Sequence, residues 1–103
     1  MVNRELQITY TDAWQNLGTL MRADADYANG QLTFDTPFTL INQGAHSITV
    51  KGVENATPPD GGNGLTIESG QFYTWENGFN AATTYIKGLT AAETGSVDLS
   101  FTM

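Results

Sequence analysis

The chain reads as an all-β domain: an antiparallel β-sandwich of about eight short strands, jelly-roll-like or immunoglobulin-like, with residues 1–103 forming one unit. Two observations predict this. Apolar and polar residues alternate at both ends, as Leu6, Ile8 and Tyr10 against Gln7, Thr9 and Thr11, and as Val97, Leu99 and Phe101 against Ser96, Asp98, Ser100 and Thr102. That is the two-residue period of strands with one buried face. Between these ends, Gly, Asn, Asp and Pro recur as turn signals about every 8–12 residues.

The first strand is expected over about residues 5–11. Trp14 to Met21 then reads as a shorter, irregular strand, with a helix from Asp12 to Asp24 as the rival. Gly18 and the β-branched and aromatic residues weigh against that helix, although Trp14, Leu17, Leu20 and Met21 sit at helical spacing. Asn29-Gly30 predicts a type I′ hairpin turn, because both residues tolerate positive φ. Leu32 and Phe34 open the next strand. Pro37 removes a backbone donor and divides residues 32–34 from 38–42, as two strands or as one interrupted edge strand.

Asn42-Gln43-Gly44-Ala45 reads as a turn joining residues 39–42 to residues 46–51 in a hairpin. Ile48 and Val50 should face one way there, and Ser47, Thr49 and Lys51 the other. The breaker-rich run from Asn55 to Gly64 predicts the longest exposed loop. Further strands are expected at Leu65–Ile67, Phe72–Trp75 and about 83–89, with a last loop at residues 91–95 before the closing strand.

Composition narrows the function. Four basic residues stand against eleven acidic ones, a formal net charge of −7, and Arg4, Arg22, Lys51 and Lys87 are far apart. Nothing here neutralises a run of phosphates, so neither nucleic acid nor a membrane surface is an expected partner. No apolar stretch nears the roughly 20 residues that span a bilayer, and the N-terminus lacks a signal-peptide pattern. The chain is expected to stay where it is made unless it leaves within a larger particle. Cysteine is absent, which rules out disulfides, a thiolate nucleophile and cysteine-ligated metal.

The residues offer little covalent chemistry. His46 is the lone histidine, and no nucleophile or orienting acid adjoins it in sequence, so it reads as a solvent-facing strand or turn residue. Asp24-Ala25-Asp26-Tyr27-Ala28-Asn29-Gly30 departs from a calcium loop at Ala28, at the late glycine and in its flanks. Asn55-Ala56-Thr57 matches a glycosylation acceptor, which matters only in a secreted chain. No cofactor is expected and no enzymatic turnover.

The aromatics are the best candidates for contact. Tyr73 and Trp75 share one face of a strand, and Phe72 shares the other with Thr74, so one set is exposed if the strand lies in a two-layer sandwich. Trp75 in the core with Tyr73 half-buried at an edge is the plainer arrangement. Phe72, Tyr73, Trp75 and Phe79 are the expected apolar centre of a contact with a partner. A glycan is the alternative, stacked on Tyr73, Trp75 or Tyr27 with amides such as Asn77 and Asn80 nearby.

Leu40-Ile41-Asn42-Gln43-Gly44-Ala45-His46-Ser47-Ile48-Thr49-Val50 precedes the breaker-rich loop, and Gly64-Leu65-Thr66-Ile67-Glu68-Ser69-Gly70-Gln71-Phe72 follows it. Tyr85-Ile86-Lys87-Gly88 and Gly95-Ser96-Val97 come after these. Over about residues 38–103 this order resembles the small β-sandwich virion proteins of tailed bacteriophages, the capsid decoration, head-fibre and related accessory proteins. The resemblance implies a non-enzymatic, multi-copy structural role in a virion, with copies of the chain and other virion proteins as partners. It carries no catalytic residues with it.

Overall fold

In a computed structural model, residues 2–10, 13–54, 59, 64–88 and 93–101 are described. Ten strands occur among them: β1 (Val2–Tyr10), β2 (Gln15–Asn16), β3 (Thr33–Phe34), β4 (Phe38–Asn42), β5 (Ile48–Gly52), β6 (Leu65–Ile67), β7 (Phe72–Trp75), β8 (Phe79–Asn80), β9 (Thr84–Gly88) and β10 (Glu93–Phe101). One sheet has the order β1-β10-β4-β7, and the facing sheet the order β2-β9-β5-β6. A two-stranded piece pairs β3 with β8. Every strand pairing among the described residues is antiparallel.

The pairs are nested. The strand β1 lies beside β10, β2 beside β9, β4 beside β7 and β5 beside β6. Successive arms of this nested ribbon alternate between the two sheets, which is the winding of a jelly roll, so that alternative holds over the immunoglobulin-like one.

Alternation explains which faces meet. Leu6 and Ile8 on β1, Phe38 and Leu40 on β4, and Val97, Leu99 and Phe101 on β10 are all buried. They face Ile48 and Val50 on β5, Ile67 on β6 and Ile86 on β9, with burial of every one of them. Side chains of the two inner layers thus form one core, as sheet packing requires. Phe38 sits at its aromatic centre, stacked on Phe79 at 4.2 Å and on Phe101 at 5.3 Å between ring centroids.

Four expectations are corrected. The run after β2 is a helix, α1 (Leu17–Ala23), and not an irregular strand. Asn16 caps it by accepting from the Thr19 N–H at 3.0 Å, while its amide donates to the Ala82 carbonyl at 2.9 Å. Leu17 and Met21 face inward at helical spacing. Gly18, which argued against a helix, is there because a Cβ would lie 3.0 Å from Leu32 and 3.1 Å from the Ala81 carbonyl oxygen. Close packing of the helix outweighs its poor propensity.

The Asn29-Gly30 turn is not a hairpin turn. A 3-10 turn at Ala25–Tyr27 precedes it, and the Gly30 N–H donates to the Tyr27 carbonyl at 3.0 Å. Gly30 lacks the positive φ found at Gly70 and Gly78; its hydrogen is needed because the Tyr27 ring covers it, 2.3 Å from where a Cβ would be. Asp24 accepts from the Asp26 N–H, so it caps this turn.

The third correction concerns residues 39–51, which form no hairpin: β4 and β5 lie in opposite sheets. The connection arches across the sandwich around Asn42, whose fully buried amide donates to the carbonyls of His46 at 2.8 Å and Ile67 at 2.9 Å and accepts from Gly44 at 3.0 Å. The bond to Ile67 ties the arch to β6 in the facing sheet. Lastly, β10 starts at Glu93, earlier than the expected loop allows, and Gly95 pairs with Ile8. Pro37 does separate two strands, which belong to different sheets. Apart from Pro59 and Gly64, the run 55–64 lies outside the described residues, as does the acceptor triplet at 55–57.

Candidate functional site

The two sides of the sandwich end differently. On one side are β1 and the two-residue β2, and α1 packs against both of them. A helix over an edge, or a very short edge strand, shields backbone groups that would otherwise pair with another chain. On the other side lie β6 and β7, each the outer strand of its sheet. They are joined by the turn Glu68–Gln71, closed by the Gln71 N–H on the Glu68 carbonyl at 2.9 Å. Gly70 supplies the φ of 80° that a type II turn needs at its third position.

This open side carries the large exposed apolar side chains found among the described residues: Leu65 on β6, and Phe72 and Tyr73 on β7. Phe72 is 65% exposed and Tyr73 43%. Register explains the difference. Tyr73 pairs with Leu40 and Trp75 with Phe38, so both point between the sheets, whereas Phe72 pairs with Ile41 on the outer face. Trp75 is half-buried and packs against the core, and Phe79 is buried, so the four expected contact residues run from fully outside to inside.

Their rings are continuous. Tyr73 meets Trp75 edge-on at 4.9 Å, Trp75 meets Phe79 at 4.7 Å, and Phe79 stacks on Phe38. Each such pair contributes about 0.5–1.5 kcal/mol beyond the area it buries. The exposed end of this row is therefore held by the core.

Between the sheets the same edge opens into a cleft of ≈ 510 Å³, lined by Val50, Leu65, Tyr73, Trp75, Phe79 and the exposed Asn80. A second depression of ≈ 340 Å³ continues toward Glu68 and Gln71 and shares Leu65 and Tyr73. Lys51 lines the first and Glu68 the second. Asn80 and Thr84 are tied to each other through the Thr84 hydroxyl on the Asn80 carbonyl at 2.7 Å.

Other sequence candidates lie elsewhere. His46 is exposed in the arch between β4 and β5. Tyr27 is buried, with its hydroxyl donating to the Gln31 carbonyl, which removes it from any glycan platform. Among the described residues no cluster of three or more His, Cys, Asp or Glu is placed to hold a metal. Leu65 was missed by sequence reasoning; its exposure follows from β6 being an edge, which its own residues do not signal.

No protein-family model matches the chain, and no curated protein matches it. Among solved structures, the chain is similar to the Tobacco streak virus coat protein, with a TM-score of 0.38 and 10% identity, over 96% of this chain and 85% of that one. At that score the likeness adds nothing to the topology, which stands on the strand pairing alone.

Proposed function

We propose that this chain is a non-enzymatic structural or accessory virion protein of a bacteriophage, such as a capsid decoration or head-fibre protein, located in the particle. The observation that carries this reading is the asymmetry of the sandwich. On one side a helix packs against β1 and against the two-residue β2, while the other presents Leu65, Phe72 and Tyr73 to solvent. Exposed apolar residues gathered along an unguarded edge mark a surface that another molecule covers. The order of segments that resembles small phage virion sandwiches supports the virion as the setting.

The test is mass spectrometry of density-banded phage particles from a culture carrying the gene. Recovery of the chain with the particles, in many copies per particle, is expected; its confinement to the soluble lysate overturns the reading.

A second reading, a carbohydrate-binding module, has one observation in its favour: Tyr73 and Trp75 wall a cleft that also contains Asn80 and Thr83. Retention on a polysaccharide column that is lost on Trp75→Ala would put this reading first.

A further inference from the structure

We propose that the β7 edge takes up an extended, basic segment of a neighbouring shell subunit as an added antiparallel or parallel strand, with the segment's apolar side chains over Phe72 and in the cleft beside Tyr73 and Leu65. The identity of the shell as donor rests on the assembly role above.

The backbone is prepared for it. The Asn42 N–H donates to the Gln71 carbonyl at 2.9 Å, so residues 42 and 71 form a hydrogen-bonded pair of the ladder. In antiparallel pairing such pairs alternate, which assigns Tyr73 and Trp75 to β4 and turns the N–H and C=O groups of Phe72 and Thr74 away from it. Those groups face the open edge. Strand addition uses backbone hydrogen bonds for affinity and side-chain pockets for specificity, and here Phe72 lies on one side of the edge and the cleft on the other.

Charge selects the occupant. Glu76 directly follows β7 and Glu68 opens the turn that leads into it; both are exposed, and Lys51 lines the cleft wall. A second copy of the chain brings a net charge of −7 to the same place, which opposes pairing like with like. A segment with lysine or arginine at both ends of an apolar centre meets both carboxylates.

The probe is a synthetic peptide of alternating valine and threonine flanked by lysine pairs, with a glutamate-flanked version as its control, each titrated into the full chain. We expect the lysine peptide to bind roughly tenfold tighter or more at low salt, with the difference shrinking as salt rises. Hydrogen exchange at the Phe72 and Thr74 amides should slow on binding. Phe72→Lys places a charge on an exposed edge position and should abolish binding with little change in the thermal midpoint. Thr74→Pro removes an outward N–H, which an edge strand tolerates, and should also abolish it.

Equal affinity for the two peptides, no binding of the lysine peptide, or protection away from β7 overturns the proposal. So does a dimer in sedimentation equilibrium that Phe72→Lys dissolves, which makes a second copy the occupant, or displacement of the peptide by oligosaccharides. A chain present in particles whose edge ignores the peptide sinks this inference and leaves the assembly role standing. Peptide capture by a chain absent from particles overturns the shell as donor.

Discussion

At Gly78 a Cβ would lie 2.3 Å from the carbonyl oxygen of Phe34, on a residue whose φ is 106°. The conformation alone costs a residue with a side chain about 1–3 kcal/mol, and the clash adds to it. Gly52 has nothing within 4 Å of its Cβ position. Chemical denaturation should therefore show Gly78→Ala losing about 2 kcal/mol or more, and Gly52→Ala unchanged or gaining up to about 1 kcal/mol; equal losses would contradict the packing of β8 against β3. Tyr27 gives a pH test. Burial raises its phenol above the usual value near 10, opposed by the nearby charges of Arg4 and Arg22. The folded state thus keeps its proton where the unfolded chain loses it, so the stabilisation is full below about pH 10 and is lost as pH rises through the folded value. Melts at increasing alkaline pH should fall less steeply for Tyr27→Phe than for the parent chain. Neither Gly30 nor Asn42 was legible as what it is, because an Asn-Gly pair and an Asn-x-Gly stretch carry the same signal in a hairpin and beneath a ring or an arch.

Strands were read best where alternation alone decides them. Residues 38–42, 65–67 and 72–75 lie where the period of two places them, and β10 differs only in its start. Within β10, Leu99 is fully buried, while Asp98 lies opposite Glu5 on the outer face. Leu99→Ala should cost about 2–5 kcal/mol through lost transfer energy and a cavity. Asp98→Ala should stay within about 0.5 kcal/mol, since removing one of two facing carboxylates offsets the loss of the Gln43 hydrogen bond. Urea midpoints of the two variants decide this, and similar shifts would mean that the strand is not half-buried. The helix α1 was misread for a reason particular to it. Its seven residues include a glycine and a threonine, and the Asn16 cap and the burial of Leu17 and Met21, rather than propensity, hold them helical.

For the molecule as a whole, two sheets could be anticipated, but the route of the chain between them could not. Phe72, Tyr73 and Trp75 were recognisable as candidates because their strand is aromatic on both faces. That β7 is an edge, and that Leu65 joins it there, comes from the nested winding and from no residue in either strand. The same winding sets the folding speed. Sequence-distant pairs dominate it, so refolding by stopped flow should take milliseconds to seconds, as in other sandwiches of this size. A microsecond phase accounting for the full amplitude would be incompatible with it. The placement of β10 between β1 and β4 has a consequence during synthesis. The strand β1 waits on the ribosome for a neighbour that is translated long after it, with Leu6 and Ile8 uncovered in the meantime. A nascent chain interrupted before Glu93 has no middle to its first sheet and no route to the native state. Protease digestion of stalled ribosome complexes should find β1 cleavable until residues 93–101 have emerged from the exit tunnel, which makes the emergence of β10 the checkpoint for everything the edge can later bind.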